Sequence, residues 1–468
     1  MPFSSPSLDT PVSTAQELAA YFQGCEKSKI EWRISSAHEK FPYHLSTLMA
    51  AAYDEPQGLM AMLTGLQDYG WRPVCEHGQI TGLTRAHARI TLEPGGQVRF
   101  NSSPMVTLHE LAAEVDQHLH EVDEISAPLE LGFLGMGFHP IATSDEIPWA
   151  PTGTARVLLA SERAQLPVNL DVTRRCCAAH VSLDYADETD MVKKFRAALM
   201  LEPVVNALFA SSPFVEGKPC GVNSQRAALR AKASPERFGI PYCVFEEGFG
   251  YERYVEYALD IPLGWVVHEG REISCGAQTF RDYLDGKLQA MPRQRPTLRD
   301  WVAHLERIYT DTRLTGTLDL CGADSGDAEM LLALPSLWTG LLYDDSVRES
   351  VWSLVSNWTT EEHLALREDA IQIGLRAEIR GRPLTDTAEI LLKHAQTGLR
   401  RRTHRLHEGA DESRYLGILF NMLEVEQNRS DQLLMHYAHF KDFSMRSVFD
   451  VCRLKPPPVE GKDEELTY

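Results

Sequence analysis

The sequence predicts an α+β fold, with an antiparallel sheet and outer helices over the first 325 residues and a helical part after them. Three observations carry this expectation. Strand-like segments bearing polar residues are separated by helices and concentrated before residue 325. From Asp327 onward nearly every segment has helical periodicity. No internal repeat or low-complexity tract breaks the chain.

The elements follow in order. Residues 1–14, Pro/Ser-rich and polar, read as a disordered lead-in. Thr14–Gln23 has a helix signal, a Thr cap with an acidic residue three positions on. Ile30–Phe41 alternates as a strand, and Tyr43–Tyr69 reads as one long helix. Ile80–Leu83 and Ala88–Glu93 form a predicted hairpin, and Gly95–Gly96 interrupts the pattern. Thr107 and Glu110 make a capping box for a helix reaching about Ile125. Leu131–Phe138 and Cys177–Tyr185 are predicted buried strands, and Glu188–Phe209 a helix. Leu259–Ile273 is strand-like, Thr297–Ile308 helical, and Thr317–Leu320 a short strand ending at Gly322. Residues 15–325 are thus the α+β part. Residues 326–468 are helical, packed on the same domain, with an acidic tail after Lys455–Pro458.

Composition narrows the function. The 468 residues carry a formal net charge of −20, which excludes a general nucleic-acid binder and a protein docking on anionic lipid. It leaves a nucleotide substrate open, because local basic groups can hold phosphates within an acidic protein. No apolar run is long enough to span a membrane, and the start has neither the basic nor the apolar region of a signal peptide. Nine cysteines, an odd number without CxxC spacing, point to reduced thiols and a cytoplasmic protein.

Four strand segments place polar residues where a half-buried strand should be apolar. Glu39 shares a face with Ala37; Glu93 precedes Pro-Gly-Gly, with Arg99 of the same parity if the strand resumes. His180, Ser182 and Asp184 share a face, as do Thr317, Asp319 and Cys321. If these strands are neighbours, Glu39, Glu93, His180 and Asp319 converge on one concave face. Three carboxylates and an imidazole there call for a cation among them. Taken singly, each reads better as a solvated strand residue or a satisfied core polar group.

A series of motifs carries a resemblance: HEKF at 38–41, LEPGGQ at 92–97, FLGMGF at 133–138, SPFVEGKPCG at 212–221, TFRDYLDGKL at 279–288, GAD at 322–324 and LPSLWTGLLYDD at 334–345. From about residue 30 to 440 the chain resembles the plant-type glutamate–cysteine ligase family. The resemblance implies a glutamine-synthetase-like antiparallel sheet forming a funnel, with helices outside. It implies that ATP phosphorylates the γ-carboxylate of glutamate and that the cysteine amine attacks the acyl phosphate. Such chemistry needs Mg2+ on the triphosphate, basic groups around the phosphoryl group, and a basic group for the α-carboxylate.

The chain departs from the family pattern at those places. Ala37 stands where the first acidic residue of E-H-E-K belongs, and Arg99 where Q-F-E-L has its Glu. Thr152 and Thr154 replace two basic residues. His180 and Ser182 replace the Gln and Asn of T-V-Q-V-N, and Asp319 and Cys321 the Glu and Arg of L-E-M-R-G-A-D. Three readings follow. The first is a divergent ligase forming a γ-glutamyl amide (γ-glutamylcysteine or an analogue) with Mg2+ and ATP. Across the readings Arg99 and Cys321 are the candidate catalytic residues, and Arg226 and Arg175, at matching family positions, the candidate substrate binders. The second is an ATP-independent metalloenzyme of specialised metabolism on an amino-acid substrate. In it Glu39, Glu93, His180 and Asp319 hold Fe, Zn or Cu, since imidazole with carboxylate or thiolate suits a softer ion than Mg2+. The third is a non-catalytic homologue. All three expect a small-molecule amino-acid ligand, no nucleic acid or membrane partner, and a monomer or homodimer.

Overall fold

A computed structural model of the protein describes residues 7–163, 169–439 and 444–457. Its centre is a sheet of nine strands: β1 (Ile34–His44), β2 (Arg72–Glu76), β3 (Gln79–Arg85), β4 (Ala88–Leu92), β5 (Val98–Asn101), β6 (Leu131–Leu134), β7 (Ala179–Leu183), β8 (Thr312–Leu314) and β9 (Leu318–Leu320). The order is β8-β9-β7-β1-β5-β4-β3-β2, all pairs antiparallel, and β6 pairs with the far half of β1. The predicted α+β architecture with an antiparallel sheet is therefore observed.

Period-two alternation separates the two faces of this sheet. On one face Ile34 lies opposite Leu183, Leu320 opposite Val181, and both His38 and Ile90 opposite Phe100. This face meets helices α1 (Leu108–Ser126), α2 (Glu188–Phe209) and α3 (Ala328–Leu342). On the other face Glu39 and Thr91 both lie opposite Arg99, His180 opposite Ala37, and Asp319 opposite Ser182 and Arg313. The main apolar core takes in residues from Val12 to Leu454, so the helices over residues 328–424 share it with the sheet, while Leu433, Val448 and Phe449 from the last two helices pack with Phe41 and Leu134 in a smaller second cluster. Helix α3 crosses α4 (Leu384–Arg402) at Gly340 and Gly398, where a Cβ on Gly398 would stand 2.0 Å from the Gly340 carbonyl oxygen.

Several elements differ from expectation. Residues 7–14 are anchored: Val12 is buried and its N–H donates to the Pro296 carbonyl (2.9 Å), and Asp9 pairs with Arg299. Residues 1–6 and the acidic tail from 458 lie outside the described residues. The predicted helix over Tyr43–Tyr69 is wrong in its first half. There β1 continues to His44, Tyr43 bridges back to Ala50, and helix begins only at Leu59. Leu131–Phe138 is strand only as far as Leu134, and Leu259–Ile273 is the end of one helix and a hairpin of Pro262–His268 with Arg271–Thr279. Strands β2 and β8 were not foreseen, and β5 only as a resumption of the strand after Pro-Gly-Gly. Both predicted capping boxes exist: Thr14 with Glu17, and Thr107 with Glu110. The helix over Glu188–Phe209 has both predicted ends. Among the described residues no helix is long and apolar enough to cross a membrane.

Candidate active site

A cleft opens on the polar face of the sheet. Its wall includes Glu39, Glu93, Gln97, Arg99, Thr154, Cys176, His180, Arg226, Arg230, Glu306, Tyr309 and Arg313.

The turn between β4 and β5 forms one side. The Glu93 N–H donates to the Gln97 carbonyl, and Gly96 closes the turn with a positive φ of 78°. Gln97 ties this turn to the segment before β7: its amide oxygen accepts from Gly95 N–H, and its Nε2 donates to the carbonyls of Thr173 and Cys176. Glu93 and Arg99 are therefore not on one strand, as their shared parity suggested. Glu93 opens the turn after β4 and Arg99 lies on β5, and both still line the same cleft.

Three of the four predicted metal ligands line the cleft and one does not. Glu39 is fully engaged. Oε1 accepts from Arg99 Nη1 at 3.0 Å, and Oε2 accepts from the Ala178 N–H at 2.8 Å. His180 Nε2 stands 3.6 Å from Oε1, too far for a good hydrogen bond. Burial alone would raise the Glu39 carboxyl; His180, Arg99 and the Ala178 N–H outweigh it and hold the group at about 2. Glu93 takes no side-chain hydrogen bond or ion pair from any described residue, and burial with the Glu39 charge pushes it up to about 7. Burial and Arg99 push His180 down to about 4, so its imidazole is neutral at pH 7, with neither ring nitrogen hydrogen-bonded. Asp319 is off the cleft wall. It accepts from Ser182 Oγ (2.7 Å), Thr317 Oγ1 (2.8 Å), Thr315 Oγ1 (2.9 Å) and Arg313 Nε (3.4 Å). Among the described residues no group of three or more His, Cys, Asp or Glu is suited to hold a metal ion. The structure does not gather the four into one shell: Asp319 is off the cleft wall, and Glu39 and Asp319 both accept hydrogen bonds from internal donors.

The other predicted residues divide. Arg99 lies in the cleft, clamped by Glu39 on one side and by Asn101 Oδ1 (2.9 Å) on the other. Cys321 does not line it. The chain leaves β9 at Leu320, the Cys321 N–H donates to the Asp311 carbonyl (2.7 Å), and burial pushes the thiol up. Cys176 is the thiol on the wall. Arg175 is buried elsewhere, its guanidinium over the Phe138 ring (4.5 Å) and paired with Asp171 (3.2 Å). Arg226 reaches the cleft wall. Its Nη groups donate to the Gly322 carbonyl (2.8 Å), the Cys321 carbonyl (2.7 Å) and Asp324 (3.5 Å). These bonds tie it to the Cys321–Asp324 loop behind the wall. Thr152 caps a helix by accepting from the Ala155 N–H, whereas Thr154 faces the cleft.

Two arginines were missed. Arg313 is held by the carbonyls of Glu306 (2.6 Å) and Ile308 (2.9 Å), and Arg230 by Asp311 (2.7 Å). Arg313 had a signal: Thr315-Gly316 is a turn, with φ of 120° at Gly316, and folding it as a hairpin sets Arg313 opposite Asp319. Arg230 had none, since it reaches the cleft from the last turn of a helix, Gln225–Ala231. Arg230 and Arg313 thus bring to the cleft basic groups from two further elements, which suit anionic oxygens.

Comparison with known proteins agrees with this architecture. The model of the family described as glutamate-cysteine ligase family 2 matches residues 37–448. The chain is 36% identical over 452 residues to the chloroplastic glutamate–cysteine ligase of Medicago truncatula, covering 96% of this chain and 87% of that one. With the chloroplastic enzyme of Brassica juncea it shares 39% over 392 residues, covering 84% and 76%. A solved structure of glutamate–cysteine ligase from Francisella tularensis, in complex with AMP, aligns with a TM-score of 0.50. That match is at 12% identity and covers 92% of this chain and 91% of that one.

Proposed function

Because the chain belongs to the glutamate–cysteine ligase family 2, we propose that this ligase joins a glutamate-like γ-carboxylate to cysteine or a similar small amine through an acyl phosphate. The observation that carries the reading is the mixed charge of the cleft. Arg99, Arg230 and Arg313 come from three different elements, and Glu93 and Glu306 face the same space without an internal partner among the described residues.

The carboxylate attacks the γ-phosphorus of ATP, ADP leaves, and the free amine then displaces phosphate from the acyl carbon and loses a proton. Bound Mg2+ supplies neutralisation of the triphosphate charge. Arg313 and Arg230 are fixed by carbonyls and carboxylates behind them, so they present positive charge without reorganising as negative charge moves between oxygens. Neutral His180 lines the same cleft with both ring nitrogens free to meet a substrate group. Arg99 lies between Glu39 and the open cleft and orders the carboxylate side. All nine cysteines are free thiols, which fits a reducing cytoplasmic compartment. The net charge of −20 fits a small-molecule substrate.

The test is ADP release at high enzyme concentration with ATP, Mg2+, glutamate and cysteine, with the product identified by mass. Glutamate- and amine-dependent ADP release supports the proposal; its absence across a panel of amines removes it. A second reading, the ATP-independent metalloenzyme, rests on His180, whose ring nitrogens are unpartnered. It requires about one transition metal per purified chain, lost in His180→Ala, and metal-free protein that turns over substrate excludes it.

A further inference from the structure

The Glu39 carboxylate lies in the cleft with each of its oxygens already accepting a hydrogen bond. Arg99 Nη1 donates to one oxygen at 3.0 Å, with His180 3.6 Å away, and the Ala178 N–H donates to the other at 2.8 Å. The guanidinium is not a passing surface contact. Glu39 and Arg99 are directly opposed in the β1–β5 ladder, so their Cβ atoms are held as neighbours. Asn101 Oδ1 accepts from Arg99 Nε at 2.9 Å and fixes the plane of the fork. Glu93 lines the same cleft from the turn that leads into β5. Arg99 thus sets a positive charge against the Glu39 carboxylate, where a divalent ion would otherwise neutralise it. A divalent ion on Glu39 would have to share an oxygen with a fixed positive charge, and repulsion opposes that.

We infer that Arg99 is a tethered cation standing in place of a divalent ion on Glu39, so that this carboxylate takes no metal in the native chain. It gives the cleft a permanent single charge that does not dissociate, and it lowers the number of metal ions the site can hold. The inference concerns the cleft alone and does not depend on which carboxylate and amine are joined.

The experiment is Mn2+ binding to the full chain, without nucleotide or amino acid, followed by calorimetry and by the free-Mn2+ electron paramagnetic resonance signal. Arg99→Gln removes the charge and should gain one Mn2+ per chain, or bind Mn2+ at least tenfold more tightly. The double variant Arg99→Gln with Glu39→Gln should lose that gain. Arg99→Lys keeps the charge and should show none. Glu39→Gln alone should leave Mn2+ binding within about twofold of the native chain. The inference is overturned if folded Arg99→Gln gains nothing, if Arg99→Lys gains a site, or if Glu39→Gln alone weakens Mn2+ binding tenfold. The Glu39→Gln arm still decides if Arg99→Gln does not fold. An inactive protein in the ADP assay would count against the ligase reading and leave these binding results standing.

Discussion

Arg226→Met separates two roles for a buried arginine. Met keeps most of the stem volume and removes all the donors, so little cavity is created. Arg226 is 1% exposed and donates to the carbonyls of Gly322 and Cys321. Each carbonyl left without a donor costs about 1–3 kcal/mol. Asp324 loses a long 3.5 Å contact but keeps the Ser211 N–H and the Ser212 and Ser224 hydroxyls, so its charge remains solvated by the protein. The two carbonyls together give a loss of about 2–6 kcal/mol. Urea unfolding followed by tryptophan fluorescence should show a lower midpoint with an unchanged slope. Activity assayed below the transition should show an intact KM for the carboxylate substrate. Stability within about 0.5 kcal/mol of the native chain, with KM raised tenfold or more, would refute the positioning role and restore Arg226 as a substrate binder.

Other perturbations have equally definite outcomes. Lys40 is fully buried with Nζ 2.6 Å from His118 Nε2, and burial lowers its pKa from 10.5 to about 7. The unfolded chain therefore binds the extra proton between about pH 7 and 10.5, so this group makes stability rise with pH across that window and leaves it flat below. Lys40→Met should flatten that rise and gain about 2 kcal/mol at pH 6, the relieved protonation cost less the lost hydrogen bond, as read by chemical denaturation at several pH values; a steeper pH dependence would count against the assignment. Gly137→Ala would place a Cβ 2.2 Å from the Asp324 carboxyl carbon, and should lower the melting temperature and disturb the loop that Arg226 holds. A melting curve matching the native one would mean the approach is looser than this. Arg313→Gln should lower kcat about 10²–10³-fold if its charge stabilises the transferring group, with steady-state kinetics as the measure. An unchanged kcat would exclude it from the reaction.

Much of the architecture was legible because it is locally encoded. Helix α2 could be read to both ends, and Thr107 with Glu110 marked the start of α1, because capping groups and periodicity lie within a few residues of each other. Residues 43–58 were misread for the opposite reason. Leu45, Met49 and Ala50–Ala52 favour helix by composition, yet the Tyr43–Ala50 bridge and the positive φ of 64° at Leu48 impose a turn that only tertiary pairing explains. The site was legible as far as parity goes: Glu39, Arg99 and His180 do share the cleft face. Hydrogen-bond allocation was not, because whether Asp319 is free depends on Thr315, Thr317 and Arg313, which meet it only when β8 folds back on β9. Cys321 and Arg175 were misplaced because sequence position shows neither where a strand ends nor which side chain lies beneath the wall.

The position of β1 has a consequence for the order of assembly. Strands β2 to β5 form a meander of neighbours in sequence, joined by short turns, and their contacts close short loops. Strand β1 finds β5 some sixty residues on, β7 some 140 on, and β9 only through β7. Chain-closure entropy favours the meander forming first and the β7–β9 half docking afterwards. The cleft lies across that seam, with Glu93 and Arg99 on the early half and His180 and Arg313 on the late one. A partly assembled chain is therefore rich in sheet and has no cleft, and recovery of activity during refolding should lag recovery of secondary structure.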